Sequence, residues 1–279
     1  MAGSEWDFTS ISSDRAPQEI DTTVPHPARM YDFYLGGKDN FAADRAAAEA
    51  AIAAAPDMQV TAKANRAFLG RAVRFLAENG VKQIVDIGTG IPTSGNTHQV
   101  AHGIDPDISV VYIDNDPMVL AHANALMAGH GHGKTTVIQA DLRDPKTILE
   151  HPLVTSIVDF GEPVAINLVA ILHFIKDTED PAGIIRVLRD ALAPGSYLVI
   201  SHCTLDFTEP EVGIALREIY SRATAPLVPR SREEILTYFD GFDLVDPGLM
   251  PLPLWRPGRE VTEELARVHF YAGVGRLSS

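Results

Sequence analysis

The segment Val85-Asp86-Ile87-Gly88-Thr89-Gly90-Ile91-Pro92-Thr93 is a β-branched run that breaks abruptly into glycines. The run begins at residue 82 (KQIVDI, 82–87) and predicts a buried strand ending at Gly88. Glycine directly after such a strand lets backbone approach a ligand that a Cβ would repel. In an open α/β fold that ligand lies at the carboxyl edge of the sheet. A lone Gly-x-Gly also describes an ordinary strand-to-helix turn. The spacing departs from the dinucleotide pattern, because the third glycine of G-x-G-x-x-G would fall on Thr93. Pro92 also removes a backbone N–H that a phosphate nest needs. The loop suits a ligand with adenosine and no phosphates.

Outward from this loop, four more strands are predicted at residues 109–114 (SVVYID), 135–139 (TTVIQ), 163–168 (PVAINL) and 196–201 (SYLVIS). Near-continuous Val and Ile runs are what strands covered on both faces look like. Helices predicted at 117–127 and 182–193 separate them, which implies right-handed crossovers and a mainly parallel sheet. Helices at 209–222 and 231–238 follow, the latter with capping-box spacing between Ser231 and Glu234. Late strands are expected at 242–245 and 268–274, with a proline-studded loop between them. Before the sheet, residues 1–22 read as a flexible tail. Residues 23–80 read as a helical cap, with helices at 42–55 and 59–78. In the second of these, Leu69, Ala72, Val73 and Leu76 form one apolar stripe.

Two acids stand behind the glycines. Asp114 ends the second strand, where a carboxylate can accept both hydroxyl protons of a ribose. Asp141 follows the third strand in Ala140-Asp141-Leu142, where an acidic acceptor and a neighbouring amide can read an adenine edge. Each also fits a cap or turn, and Asp116 before Pro117 reads as a helix cap.

VDIGTGIPT (85–93), YIDNDP (112–117), QADLRDP (139–145) and LRDALAPGSYLVISH (188–202), in that order, resemble the class I S-adenosylmethionine-dependent methyltransferases. VPHPARMYDFYLGGKDNFAADR (24–45) and ANRAFLGRAVRFL (64–76) extend the resemblance to an actinobacterial family formerly of unknown function. The resemblance implies a Rossmann-like seven-stranded sheet with an antiparallel last strand, spanning residues 81–279 as the S-adenosylmethionine-binding domain. It implies that Asp86, Gly88, Thr89 and Gly90 line the methionine moiety. Asp114 would hold the ribose, Asn115 would lie beside the adenine, and Asp141 with Leu142 would meet its edge. Arg66 or Lys63 would answer the cofactor carboxylate, although both also fit a solvated helix face.

Methyl transfer needs alignment and exclusion of water, and an oxygen nucleophile usually needs a proton acceptor. His173 is the candidate general base or substrate binder, or it merely shapes the pocket. Tyr34 and Asn167 are lesser catalytic candidates. The aromatic and glycine-rich residues 31–40 suit a lid, or a staple for the N-terminal helices.

The 279 residues are 46% hydrophobic and 22% charged, which is ordinary globular usage. A net charge of −14 argues against nucleic acid as a partner. Asn167-Leu168-Val169-Ala170 lacks the Pro-Pro-aromatic motif of base-amino methyltransferases, and Cys203 is misplaced for cytosine C5 chemistry. A small-molecule acceptor is therefore expected. One cysteine, no apolar run of ~18–20 residues and no secretory signal point to a cytoplasmic, non-membrane protein. His98 with His102, and His130 with His132, lack the partners of a metal site. Two rivals remain at this level. An NAD(P)-dependent oxidoreductase explains Gly88 and Asp114 but not Pro92 or Asp141-Leu142. A non-catalytic sensor or scaffold would keep the S-adenosylmethionine pocket without turnover.

Overall fold

Strand β1 (Gln83–Ile87) sends Ile84 to one face of the sheet and Val85 and Ile87 to the other, and each face meets its own apolar layer. This is the period-two alternation of a strand buried on both sides. The computed structural model describes residues 20–93, 95–126, 134–258, 260–262 and 268–278. The tail expectation for residues 1–19, the end of the helix at Met127, and His130 and His132 lie outside them.

Parallel partners β2 (Ser109–Asp114), β3 (Thr135–Gln139), β4 (Ala165–Val169) and β5 (Tyr197–Cys203) join β1. They are followed by β6 (Phe242–Leu244), the two-residue β7 (Met250–Pro251) and the antiparallel β8 (Phe270–Leu277). Among the described residues the order is β3-β2-β1-β4-β5-β8-β6, with β7 paired to β8. The sheet therefore has eight strands rather than the expected seven, the extra one being a short ladder inside the proline-studded loop. The antiparallel strand also starts and ends later than 268–274. Its end was hidden by Gly273 and Gly275, which make room for rings: a Cβ on Gly275 would lie 2.7 Å from Phe242 and 2.8 Å from Phe239.

One face is covered by α1 (Pro27–Tyr34), α2 (Ala42–Ala54), α3 (Met58–Glu78) and α9 (Pro210–Ser221), through Met30, Ala48, Phe68 and Leu216. Helix α4 (Thr97–His102) follows the glycine loop and α5 (Pro117–Leu126) follows β2. The other face is covered by α6 (Pro145–Glu150), α7 (Pro152–Thr155), α8 (Pro181–Asp190) and α10 (Arg232–Thr237). Ser231 caps α10 as expected, accepting from Glu234 N–H while its own N–H donates to the Glu234 carboxylate. Helix α3 buries its predicted stripe and adds Phe68, which meets the fully buried Trp255 edge-on at 5.4 Å. Arg71 forks from α3 onto the Trp255 and Leu252 carbonyls at 2.8 and 3.0 Å. Burying an aromatic of this size contributes about 3 kcal/mol, so the α3 face anchors the N-terminal helices to the sheet.

Candidate active site

Parallel order brings the carboxyl ends of β3, β2, β1, β4 and β5 to one edge, and antiparallel β8 starts there. Five inter-strand steps make this edge about 24 Å long. A cavity of about 440 Å³ runs along it and touches Asp141, Asp114, Gly88, His173, Cys203 and Phe270 in strand order. Every site residue expected from the sequence lines the cavity except Asn167 and Lys63. Asn167 is fully buried in β4, in register with Asp86 and Val199, and among the described residues both its amide atoms lack partners. Lys63 stands outside the lining, whereas Arg66 is part of it.

The β3–β1 half is acidic and glycine-lined. Gly88 and Gly90 have φ of +75° and +67°, the left-handed region that favours glycine. A Cβ on Gly88 would come within 2.6–2.9 Å of the Ile171 side chain, while the space beside Gly90 is open. Asp114 Oδ2 accepts from Gly90 N–H at 2.8 Å and Oδ1 from Asp116 N–H at 2.9 Å. The Asn115 N–H also bears on this carboxylate, and with about two lone pairs per oxygen the group keeps acceptor capacity for a ligand. Burial pushes the Asp114 carboxyl up to about 6, against the opposing backbone hydrogen bonds. Burial likewise raises Asp86 to about 6, opposed by the Thr97 hydroxyl and the Arg66 charge. Arg66 itself donates to the Gly95 carbonyl and Asn96 Oδ1.

Asp141 is held differently. Partial burial works to raise it, but the Arg143 fork and the Asn115 amide keep its carboxyl below the usual range. Arg143 contacts both carboxylate oxygens, at 2.9 and 2.5 Å, and reaches Glu179 at 3.3 Å. Arg143 was in view within QADLRDP, two residues past Asp141, but its pairing is not visible from spacing alone.

The β4–β8 half is aromatic. His173 sits in a 3₁₀ turn (Leu172–Phe174) just past β4, against the rings of Phe174 at 4.4 Å and Phe270 at 5.2 Å. Cys203 N–H donates to His173 Nδ1 at 3.3 Å. Burial, then His202 and Arg230, hold the His173 imidazole well below its ordinary range. Tyr34 and Tyr220 share a hydroxyl–hydroxyl bond of 3.0 Å, and burial raises both phenols, Tyr34 to about 12. Burial also lifts the Cys203 thiol to about 12. At the far rim His269 bonds Asp57 through Nε2 at 2.8 Å and Thr208 through Nδ1 at 2.6 Å.

Three supporting networks escaped the sequence reading, because their bridging contacts join residues 31 or more apart. Arg230 donates to the Leu172 and Ile175 carbonyls and to Asp177, clamping the turn that carries His173. Arg29 on α1 forks onto Asp116 at 3.0 and 3.3 Å, and the pair is buried. Asp116 also caps α5, as expected, by accepting from Met118 N–H. Tyr31 accepts from Asn65, whose amide oxygen accepts from Ser201, and the Ser201 hydroxyl accepts from Ala170 N–H. Residues 31–40 thus include the end of α1, and both Tyr31 and Tyr34 line the cavity.

Among the described residues no group of three His, Cys, Asp or Glu side chains could hold a metal ion, and no helix is long and apolar enough to cross a membrane. The profile of a family described as S-adenosyl methyltransferase matches residues 13–278. Among solved structures, the chain is similar to a DUF574 family protein from Streptomyces avermitilis, at 40% identity and a TM-score of 0.89, over 93% of this chain and 100% of that one. It is also similar to a candidate methyltransferase from Thermobifida fusca, at 42% identity and a TM-score of 0.86, over 93% and 97% of the two chains. Comparison with curated proteins finds no match.

Proposed function

We infer the function from one premise, that this chain belongs to the S-adenosyl methyltransferase family: it methylates an oxygen or nitrogen nucleophile of a small molecule by in-line displacement. The cofactor is S-adenosylmethionine, which supplies a methyl group already activated by its sulfonium neighbour. In this reading Asp114 takes the ribose hydroxyls, and Asn115, Asp141 and Leu142 flank the adenine. Gly88 and Gly90 give the methionine portion its clearance, with Asp86 and Arg66 facing its ammonium and carboxylate. The residues fit that ligand on two observations. Asp114 keeps acceptor capacity beyond its backbone hydrogen bonds, and the space beside Gly90, which a side chain would occupy, is open.

The observation that carries the acceptor reading is the change of character along the sheet edge. Carboxylates and glycines line the β3–β1 end, whereas the β4–β8 end presents His173, Tyr34, Tyr220, Phe174 and Phe270. An aromatic-lined chamber limits the access of water to the reacting atoms and positions a small ring or chain. The test is label transfer from methyl-labelled S-adenosylmethionine, offered a panel of phenols and amines alongside RNA and protein. Label should enter an organic-extractable small product together with S-adenosylhomocysteine. Label confined to the RNA or protein fraction would contradict the proposal.

A further inference from the structure

We propose that the acceptor binds as an oxyanion, an already ionised phenol or enol, held by two hydrogen-bond donors, His173 Nε2–H and the free hydroxyl proton of the Tyr34–Tyr220 pair. The inference rests on the methyl-transfer reading and narrows its acceptor.

The tautomer of His173 is set by its backbone neighbour. Cys203 N–H can only donate, so Nδ1 must carry the lone pair, and a neutral imidazole then bears its proton on Nε2. Among the described residues Nε2 has no partner, and the ring lines the cavity. To serve as a base, Nε2 would need its own lone pair, which places a proton on Nδ1 facing the Cys203 N–H. His202 and Arg230 maintain the arrangement. Arg230 donates to His202 Nε2 at 3.1 Å, so His202 Nδ1–H donates to the Cys203 carbonyl at 2.7 Å. Arg230 also fixes the turn through the Leu172 and Ile175 carbonyls. The positive guanidinium behind the ring further opposes its protonation, with Asp177 on the far side of the guanidinium.

The tyrosine pair has a similar logic. Whichever phenol donates in the 3.0 Å bond, one O–H proton of the two is left over. Tyr220 reaches the His173 turn through Phe174, whose ring is 5.9 Å from Tyr220 and 4.4 Å from His173. Among the described residues no base is poised on the same wall. The Cys203 thiol is held protonated by burial. His269 has both ring nitrogens engaged, on Asp57 and Thr208, and Asp57 is committed to His269. The acceptors left unpaired among the described residues that line the cavity beside these donors, the Thr61 and tyrosine hydroxyl oxygens, are neutral and weakly basic, which favours an anion. The step balances without enzyme acid or base: the acceptor loses its proton to water before binding. Its oxygen lone pair then forms the O–C bond as the C–S bond breaks, and that bonding pair stays on sulfur.

The probe is para-nitrophenol, titrated by absorbance with S-adenosylhomocysteine bound, so that no sulfonium charge contributes. The apparent pKa of the bound para-nitrophenol should fall by about one unit relative to the same phenol free in solution. His173→Phe should abolish that shift, and His173→Gln, which keeps an N–H donor, should retain part of it. An unchanged or raised pKa, or no binding of para-nitrophenol, overturns the proposal. A second measurement avoids variants altogether: nitrogen–proton correlation NMR of the histidine rings should show His173 protonated on Nε2. Protonation on Nδ1 would overturn the oxyanion assignment while leaving methyl transfer standing, whereas failure of S-adenosylhomocysteine to bind would remove the methyl-transfer reading itself.

Discussion

Replacing Asp114 with Asn or Ala should weaken S-adenosylhomocysteine binding about 100-fold or more, read by titration calorimetry. Hydrogen bonds to a charged acceptor contribute about 1.5–3 kcal/mol each, and two ribose hydroxyls would be lost together. Asp114→Asn keeps the volume, but its single oxygen can accept from only one of the Gly90 and Asp116 N–H groups, so its thermal unfolding should fall modestly below that of the native chain. Asp114→Ala also orphans the Gly90 and Asp116 amides and should be less stable as well. The same carboxylate predicts a pH dependence. Burial raises both Asp114 and Asp86 to about 6 from the ordinary carboxyl value of 3.8, so each is ionised, and able to hold ligand, only above that range. Affinity in the native protein should therefore fall as pH drops below about 6, up to tenfold per unit for each group. In Asp114→Asn only the Asp86 component should remain. The sign for stability is opposite: a raised folded carboxyl favours the unliganded fold below 3.8, and that contribution is lost as pH rises to about 6. Affinity that is flat from pH 5 to 7 would contradict the assignment of both acids.

Arg29→Met should be the most destabilising single change outside the sheet. It strands Asp116, whose side chain is 0% exposed, and leaving one member of a buried pair costs about 3–5 kcal/mol. For a chain of this length the unfolding midpoint should drop by about 10 °C. Adding Asp116→Asn, which keeps the cap on α5, should recover much of the loss. His26 lies 3.4 Å from Asp116, and burial, with Arg29, holds its imidazole below its ordinary range. Without Arg29, a protonated His26 can answer the carboxylate, so the deficit should shrink below about pH 6.5 and reappear as pH rises. An unchanged midpoint at neutral pH would show that the N-terminal helix is not clasped to the β2 edge through this pair.

The parallel core was legible because each strand is a local β-branched run, and β2 and β3 occupy the residues expected of them. Helix α1 was hidden between prolines and glycines that read as an irregular aromatic cluster. Its stability comes instead from Met30 and Tyr34 packing on distant residues. The acids and glycines of the cavity were readable because strand ends place them on one edge by topology alone. Arg29, Tyr220 and Arg230 were not, since each acts across a long sequence separation and carries no local motif. Asn167 shows the reverse failure. A polar residue near a strand end looked like a site residue, but it lies buried beneath the cavity wall rather than lining it.

The central claim is that this sheet edge holds an adenosine with an amino-acid tail and no phosphates. Paired calorimetric titrations at neutral pH, one with S-adenosylhomocysteine and one with NAD, test it most directly. A single saturable site for the former and no measurable heat from the latter is the predicted outcome. Binding of NAD with none of S-adenosylhomocysteine would contradict it.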